Sequence, residues 1–175
     1  MKIIKTDFKD LIIFKKDSFK DQRGFFRELF LKKDLNKEFI FDVMSLSKKN
    51  VIRGLHLQTK RPQGKLITVL RGKIFDVALD CRPKSKTYGR CFSITLTEKE
   101  NTSAYIPEGF AHGFCSLSSE TILHYKCTNY RDKGSETGIL WNDKDLNIHW
   151  PIKNPIISKK DKSNLKFSEF KKLQS

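Results

Sequence analysis

Long apolar runs are missing from this chain. Its N-terminal region offers only Leu11-Ile12-Ile13-Phe14, far too short for the core of a secretory leader or for a membrane span, so a cytoplasmic protein with no membrane partner is expected. Cysteine is scarce. Cys81, Cys91, Cys115 and Cys127 match neither C-x-x-C nor the spacing of a secreted disulfide framework, which favours reduced, buried thiols. Helical periodicity is nearly absent between residues 51 and 126, and no internal repeat or low-complexity linker interrupts the chain. An RNA-binding aromatic signature, a zinc-finger spacing and a basic helix are missing too, so the net charge of +15 is read as a solvated lysine-rich surface rather than a nucleic-acid footprint. Those lysines are spread from Lys2 to Lys172, and their one functional reading is help in attracting anionic ligands. At 175 residues and 38% hydrophobic the chain can bury one good core, and one domain is expected over residues 1–175.

What is present is a series of short β-branched and aromatic runs punctuated by Gly, Pro and polar turns. Strands are expected at 11–14, 24–31, 65–70, 73–80, 91–96, 103–106, 112–116 and 121–127. Arg71-Gly72 predicts a two-residue hairpin between the third and fourth of these. In the fourth, Phe75, Val77 and Leu79 share one face while Asp76 and Asp80 share the other. An antiparallel sandwich or jelly-roll barrel follows. Residues 32–39 are expected as a short helix, and the tail from about residue 153 as a small helical or irregular lid packed on the barrel.

The segment Val51-Ile52-Arg53-Gly54-Leu55-His56-Leu57-Gln58 sets three polar side chains in an otherwise apolar strand. Strict alternation would place His56 and Gln58 on one face with Ile52 and Gly54. Lys65 opens the next strand, His112 follows a Pro/Gly turn, and Tyr125 and Tyr130 lie near Cys127. Alone, each has a plain structural reading: His56 or His112 a hydrogen-bonded structural histidine, Lys65 a solvated strand end, the tyrosines core edges.

Together these segments resemble the dTDP-4-dehydrorhamnose 3,5-epimerases. The matching motifs are Arg23-Gly24-Phe25-Phe26 with Glu28, Arg53-Gly54-Leu55-His56-x-Gln58, Gln63-Gly64-Lys65-Leu66, Phe75-Asp76-Val77-Ala78, the run from Ile106 to Phe114, Tyr125-Lys126-Cys127-Thr128, Trp141-Asn142-Asp143 and Ile148-x-Trp150-Pro151. They run in family order from about residue 5 to residue 165. The resemblance implies an all-β cupin jelly-roll barrel with short peripheral helices, a homodimer exchanging N-terminal strands, and a nucleotide-sugar substrate. It further implies His56 as base, Asp161 as the carboxylate that orients it, Lys65 as the cation beside the sugar's 4-oxygen and Tyr125 as the acid on the opposite face. Arg23, Phe26, Glu28, Arg53, Gln58, His112, Glu136 and Lys160 fall at substrate-binding positions. From the residues alone, Asp161 reads as a solvated tail side chain, since 105 positions separate it from His56.

The implied chemistry suits these residue types. A proton at C3 or C5 is acidic only because the C4 ketone takes up the charge as an enolate, which a buried cation can stabilise. A carboxylate-backed histidine titrates near neutrality and suits its removal. No metal or other cofactor is expected, because metal-binding cupins carry an H-x-H pair where this chain has His56-Leu57-Gln58. The family's thymine-stacking aromatic, six positions after the tyrosine, is here Arg131, with Tyr130 pointing elsewhere, and Phe41-Asp42-Val43 replaces the family's Gln-x-Asn. Two readings follow: a weakened or changed thymidine preference, or a substrate-binding Arg131 whose guanidinium stacks on the base in the aromatic's place. The expected reaction is inversion at C3 and C5 of a 4-keto-6-deoxyhexose, for deoxysugars of surface polysaccharide. Inversion at one carbon only, on a different nucleotide sugar, is the nearest alternative. A non-catalytic cupin that binds nucleotide sugars is the more distant one.

Overall fold

The computed structural model describes residues 2–174. Two antiparallel sheets face each other. Strands β1 (Lys2–Lys5), β2 (Ile12–Lys15), β5 (Phe41–Lys48), β7 (Lys65–Arg71), β10 (Thr102–Ile106) and β12 (Glu120–Cys127) form one, in the order β1-β2-β10-β7-β12-β5. The other is β13-β6-β11-β8-β9, built from β6 (Ile52–Gln58), β8 (Lys73–Asp80), β9 (Cys91–Thr97), β11 (Phe110–Ser116) and β13 (Glu136–Gly138). A separate exposed hairpin pairs β3 (Phe19–Asp21) with β4 (Gly24–Phe26). The helices are short, α1 (Lys159–Lys162) and α2 (Phe167–Lys172), so the all-β cupin jelly roll with small peripheral helices is the observed fold. None is long and apolar enough to cross a membrane.

Alternation decides which face each strand buries. In β8, Ile74 and Ala78 point between the sheets with Ile67, Val69, Leu123 and Phe114. Phe75, Val77 and Leu79 share the opposite face, as their spacing requires, and build a second core with Leu55, Leu57, Ile139, Phe167 and Phe170. The C-terminal segment therefore roofs the outer face of the five-stranded sheet. Burial of Phe167 and Phe170 stabilises that docking by about 1.5–3 kcal/mol each. A third cluster joins Phe14, Leu66 and Tyr105 to Phe30, Leu35 and Phe39 of the N-terminal segment.

Three local expectations need correction. Arg71-Gly72 does not close a hairpin, because β7 and β8 lie in different sheets; Gly72, at φ +85°, turns the chain from one to the other. A side chain there would run into the Glu120 carbonyl, 2.5 Å from where its Cβ would lie. The strand expected at 24–31 ends at Phe26, in a hairpin that stands off the barrel. The helix expected at 32–39 is a single 3-10 turn at Lys32–Asp34, because Phe30, Leu35 and Phe39 pack instead onto Tyr105. Strand β5 was not foreseen. It sets Ser45 and Ser47 inward and Met44 and Leu46 outward, which hides the usual apolar-in pattern. All four cysteines are free, and burial pushes Cys81 and Cys91 up to about 12 and Cys115 and Cys127 up to about 11.

Candidate active site

A cavity of about 630 Å³ opens between the two sheets, within the size range of small-ligand sites. Its two walls carry different chemistry. From β6 and β11 of the five-stranded sheet come Arg53, His56 and His112; from β7 and β12 of the six-stranded sheet come Lys65 and Tyr125.

The β6 wall depends on a bulge. His112 stands opposite His56 and Phe114 opposite Arg53, so β6 carries one more residue than β11 over this stretch. Arg53 and His56 have opposite parity, yet both therefore reach the cavity. Gly54 sits in the irregularity at φ +134°, and a Cβ there would overlap the Gly113 backbone, so only glycine fits.

Asp161 arrives from the tail. Ile156 bridges in parallel to Val51 just before β6, and Ser158 then caps α1, its Oγ accepting from the Asp161 amide at 3.0 Å. This places the Asp161 carboxylate 2.6 Å from Nε2 of His56, while its second oxygen accepts the Gly54 amide at 3.4 Å. Burial alone would raise the Asp161 carboxyl. Hydrogen bonding to His56 and that residue's charge outweigh it, holding the group below its ordinary value. An acceptor-only carboxylate fixes the proton on Nε2 and leaves Nδ1 of His56 with its lone pair, as a base requires.

The opposing wall carries an amine and a phenol. Burial pulls the Lys65 ammonium below the usual lysine range, against the pull of Cys127, Glu136 and Asp76, and its Nζ makes no hydrogen bond or ion pair with any described residue. Burial likewise raises the Tyr125 phenol, which keeps its proton at neutral pH. The Tyr125 hydroxyl lies 3.2 Å from Oγ of Ser45.

The sequence matches the dTDP-4-dehydrorhamnose 3,5-epimerase family model over residues 5–169. The chain belongs to that family. The epimerase is 45% identical over 174 residues to the dTDP-4-dehydrorhamnose 3,5-epimerase of Shigella flexneri, covering 95% of this chain and 96% of the relative. Its fold superposes on the dTDP-4-dehydrorhamnose 3,5-epimerase of Elizabethkingia anophelis with a TM-score of 0.90, at 40% identity and 97% coverage of both chains. A Legionella pneumophila dTDP-6-deoxy-D-glucose-3,5-epimerase, solved in complex with dTDP-4-keto-L-rhamnose, matches with a TM-score of 0.89 and 39% identity, covering 93% of this chain and 90% of that one. The protein is thus an enzyme of the isomerase class.

Most of the expected site residues meet at the cavity of the epimerase. His56, Asp161, Lys65, Tyr125, Arg53 and His112 line it, as do Gln58, Arg131, Glu136 and Lys160. Gln58 is committed to the backbone: its amide nitrogen donates to the carbonyls of Arg61 and Tyr130, and its oxygen accepts the Asp132 amide. These bonds tie it to the loop that carries Arg131. Glu136 bridges Arg131, at 2.8 Å, and Lys160. Although burial opposes it, these two cations hold the Glu136 carboxyl down at about 2. Tyr130 is exposed and leans on Phe41, outside the cavity lining. Arg23, Phe26 and Glu28 do not reach the cavity. Arg23 pairs with Asp21 on the exposed β3–β4 hairpin, and Phe26 is 65% exposed there.

Asp76 escaped the sequence reading as a site residue. It lies buried on the inner face of β8, its carboxylate 2.7 Å from Nε2 of His112, forming a second histidine–carboxylate pair beside the first. Its parity with Asp80 on an otherwise apolar strand was the available signal. Burial pulls the His112 imidazole below its ordinary value despite Asp76. Among the described residues, no group of three or more His, Cys, Asp or Glu side chains could hold a metal ion.

Proposed function

We propose that the epimerase inverts C3 and C5 of a nucleoside-diphosphate 4-keto-6-deoxyhexose by proton transfer through an enolate. The observation that carries this reading is the division of the cavity: His56 with Asp161 on one sheet, Lys65 and Tyr125 on the other. Nδ1 of His56 takes the proton next to the C4 ketone, and the electron pair of that C–H bond becomes the enolate. The Lys65 ammonium stabilises the enolate oxygen, an effect worth several kcal/mol in preorganised sites. Tyr125 returns a proton to the other face of the carbon, which inverts it. Solvent then reprotonates the phenol and takes the proton from His56, so the enzyme ends as it began.

A homodimer with exchanged N-terminal strands accompanies this reading. Support comes from Arg23, Phe26 and Glu28, which are remote from their own cavity, and from the exposed apolar residues Phe19, Phe25 and Phe26 on the hairpin that carries two of them. The setting we assign is the cytoplasm, in deoxysugar biosynthesis for surface polysaccharide. The nucleotide is thymidine or a relative of it, with Arg131 held by Glu136 where an aromatic platform would otherwise stand.

The test is incubation with dTDP-4-keto-6-deoxyglucose in deuterated water, read by NMR. Label at both carbons with inverted products supports the proposal; label at C3 or C5 alone makes the enzyme a monoepimerase. Label at neither carbon sinks the reading. Light scattering at the 20.4 kDa monomer mass in active samples would remove the dimer.

A further inference from the structure

Outside the cavity lining, a network of polar groups converges on the backbone just before Lys65. Thr128, immediately after β12, both accepts the Gly64 amide on its hydroxyl oxygen, at 2.9 Å, and donates that hydroxyl to Glu108, at 3.0 Å. Its own amide donates to the Gly64 carbonyl at 3.0 Å. Glu108, on the turn between β10 and β11, also accepts the buried Tyr105 hydroxyl at 3.1 Å and pairs with Lys37 of the N-terminal segment at 3.3 Å. Gly64 is squeezed against this cluster: a Cβ there would lie 2.8 Å from the Tyr105 hydroxyl and 3.0 Å from the Glu108 carboxyl carbon.

Among the described residues Lys65 has no side-chain hydrogen bond or ion pair to hold its ammonium in place, so its reach into the cavity depends on where the backbone starts β7. Strand pairing with Ile106 and Cys127 sets the register from Lys65 onward. The residue before it lies outside the strand and, as a glycine, has no side chain with which to anchor itself. Among the described residues its backbone bonds go to Thr128, whose hydroxyl turns a lone pair to the Gly64 amide while it gives its proton to Glu108.

We propose that Thr128 and Glu108 are positioning residues for Lys65, setting the place of its ammonium by fixing Gly64. This rests on the reading of Lys65 as the enolate's cation. A group that stabilises charge only in the transition state must be placed closely, and a shift on the order of 1 Å can cost up to about 10²-fold in rate. Lys37 ties the same network to the N-terminal segment, so the N-terminal part of the chain bears on Lys65 without entering the cavity.

The experiment compares Thr128→Val, which keeps the shape but removes both hydroxyl bonds, with Thr128→Ser, which keeps them, in steady-state kinetics and thermal melts. The expected result is a fall in kcat of about tenfold or more for Thr128→Val with KM within about threefold, and recovery to within about threefold of wild type for Thr128→Ser. A kcat for Thr128→Val within threefold of wild type overturns the proposal, whatever its melting point, and so does an equal loss in both variants. Should Thr128→Val fail to fold, Glu108→Gln decides: a lower kcat at similar KM supports the assignment, and an unchanged kcat overturns it. Lys65→Met is measured alongside. If it retains wild-type kcat, the role of Lys65 itself fails, independently of the clamp.

Discussion

Replacing Asp161 by Asn changes the shape of the site hardly at all and its chemistry completely. The carboxylate serves two donors at once, the His56 Nε2–H at 2.6 Å and the Gly54 N–H at 3.4 Å. An amide has one oxygen. If that oxygen stays on His56, the new NH₂ faces the Gly54 N–H in a place where the Asp161 side chain is 5% exposed, leaving buried donors head to head. If it turns to Gly54, the NH₂ donates to Nε2 and drives the imidazole proton onto Nδ1, so the nitrogen proposed as the base loses its free lone pair. Either way the imidazolium that the proposed abstraction forms loses its anionic partner. Loss of the correct tautomer in a comparable His–Asp pair costs about 10⁴-fold, and general-base catalysis as a whole contributes about 10²–10⁴-fold. Asp161→Asn should therefore slow proton exchange by about 10²–10⁴-fold, or about 2.7–5.5 kcal/mol of barrier, with KM little changed. The cap of α1 uses the backbone amide of residue 161, so the fold should survive, as circular dichroism can verify. Deuterium uptake at C3 and C5, followed by NMR, is the assay. Uptake above about a tenth of the wild-type rate at both carbons would refute the reasoning and reduce Asp161 to a structural tie.

Three further outcomes are expected. The pH–activity profile should lose activity on its alkaline side below the ordinary lysine value of 10.5, because burial lowers Lys65; Asp76→Asn should move that limb lower still, since removing a nearby anion disfavours the ammonium. An unshifted limb would show that Lys65 does not govern it. Tyr125→Phe should spare exchange more than inversion, because His56 can still return the proton it removed; equal loss of both signals counts against separate base and acid. Comparison of kcat/KM for the same 4-keto-6-deoxyhexose on dTDP, UDP, CDP and GDP should show a dTDP advantage below about a hundredfold, given the Arg131–Glu136 pair on the cavity wall, and a larger one would mean that the pair recognises thymine as well as an aromatic ring does.

Much of the fold was legible because β-structure writes its period into the chain. The runs at 91–96, 103–106, 112–116 and 121–127 became β9 to β12 with ends moved by two residues at most. The shared face of Phe75, Val77 and Leu79 followed from alternation alone. Alternation does not say which sheet a strand joins. Arg71-Gly72 has the composition of a hairpin turn, but the partners that satisfy β7 and β8 are β10 and β12 for one and β9 and β11 for the other, and of these only β9 follows its partner directly in the chain.

The site divides along the same line. His56, Lys65, Tyr125 and His112 stand in short motifs whose residue types point to proton chemistry, and the family resemblance named Asp161 as the partner of His56. The residues by themselves specified that these groups exist on strands, with His56 and Gln58 on one face. Only the tertiary structure brought Asp161 across 105 positions to His56, through the Ile156 bridge to Val51 and the burial of Phe167 and Phe170. Only it set Asp76 against His112, and let Arg53 and His56 share a wall by adding one residue to β6 beside Gly54. The physical reason is the same in each case: local sequence sets backbone period and side-chain parity, whereas a hydrogen bond between distant residues depends on which surfaces the whole chain finds it best to bury.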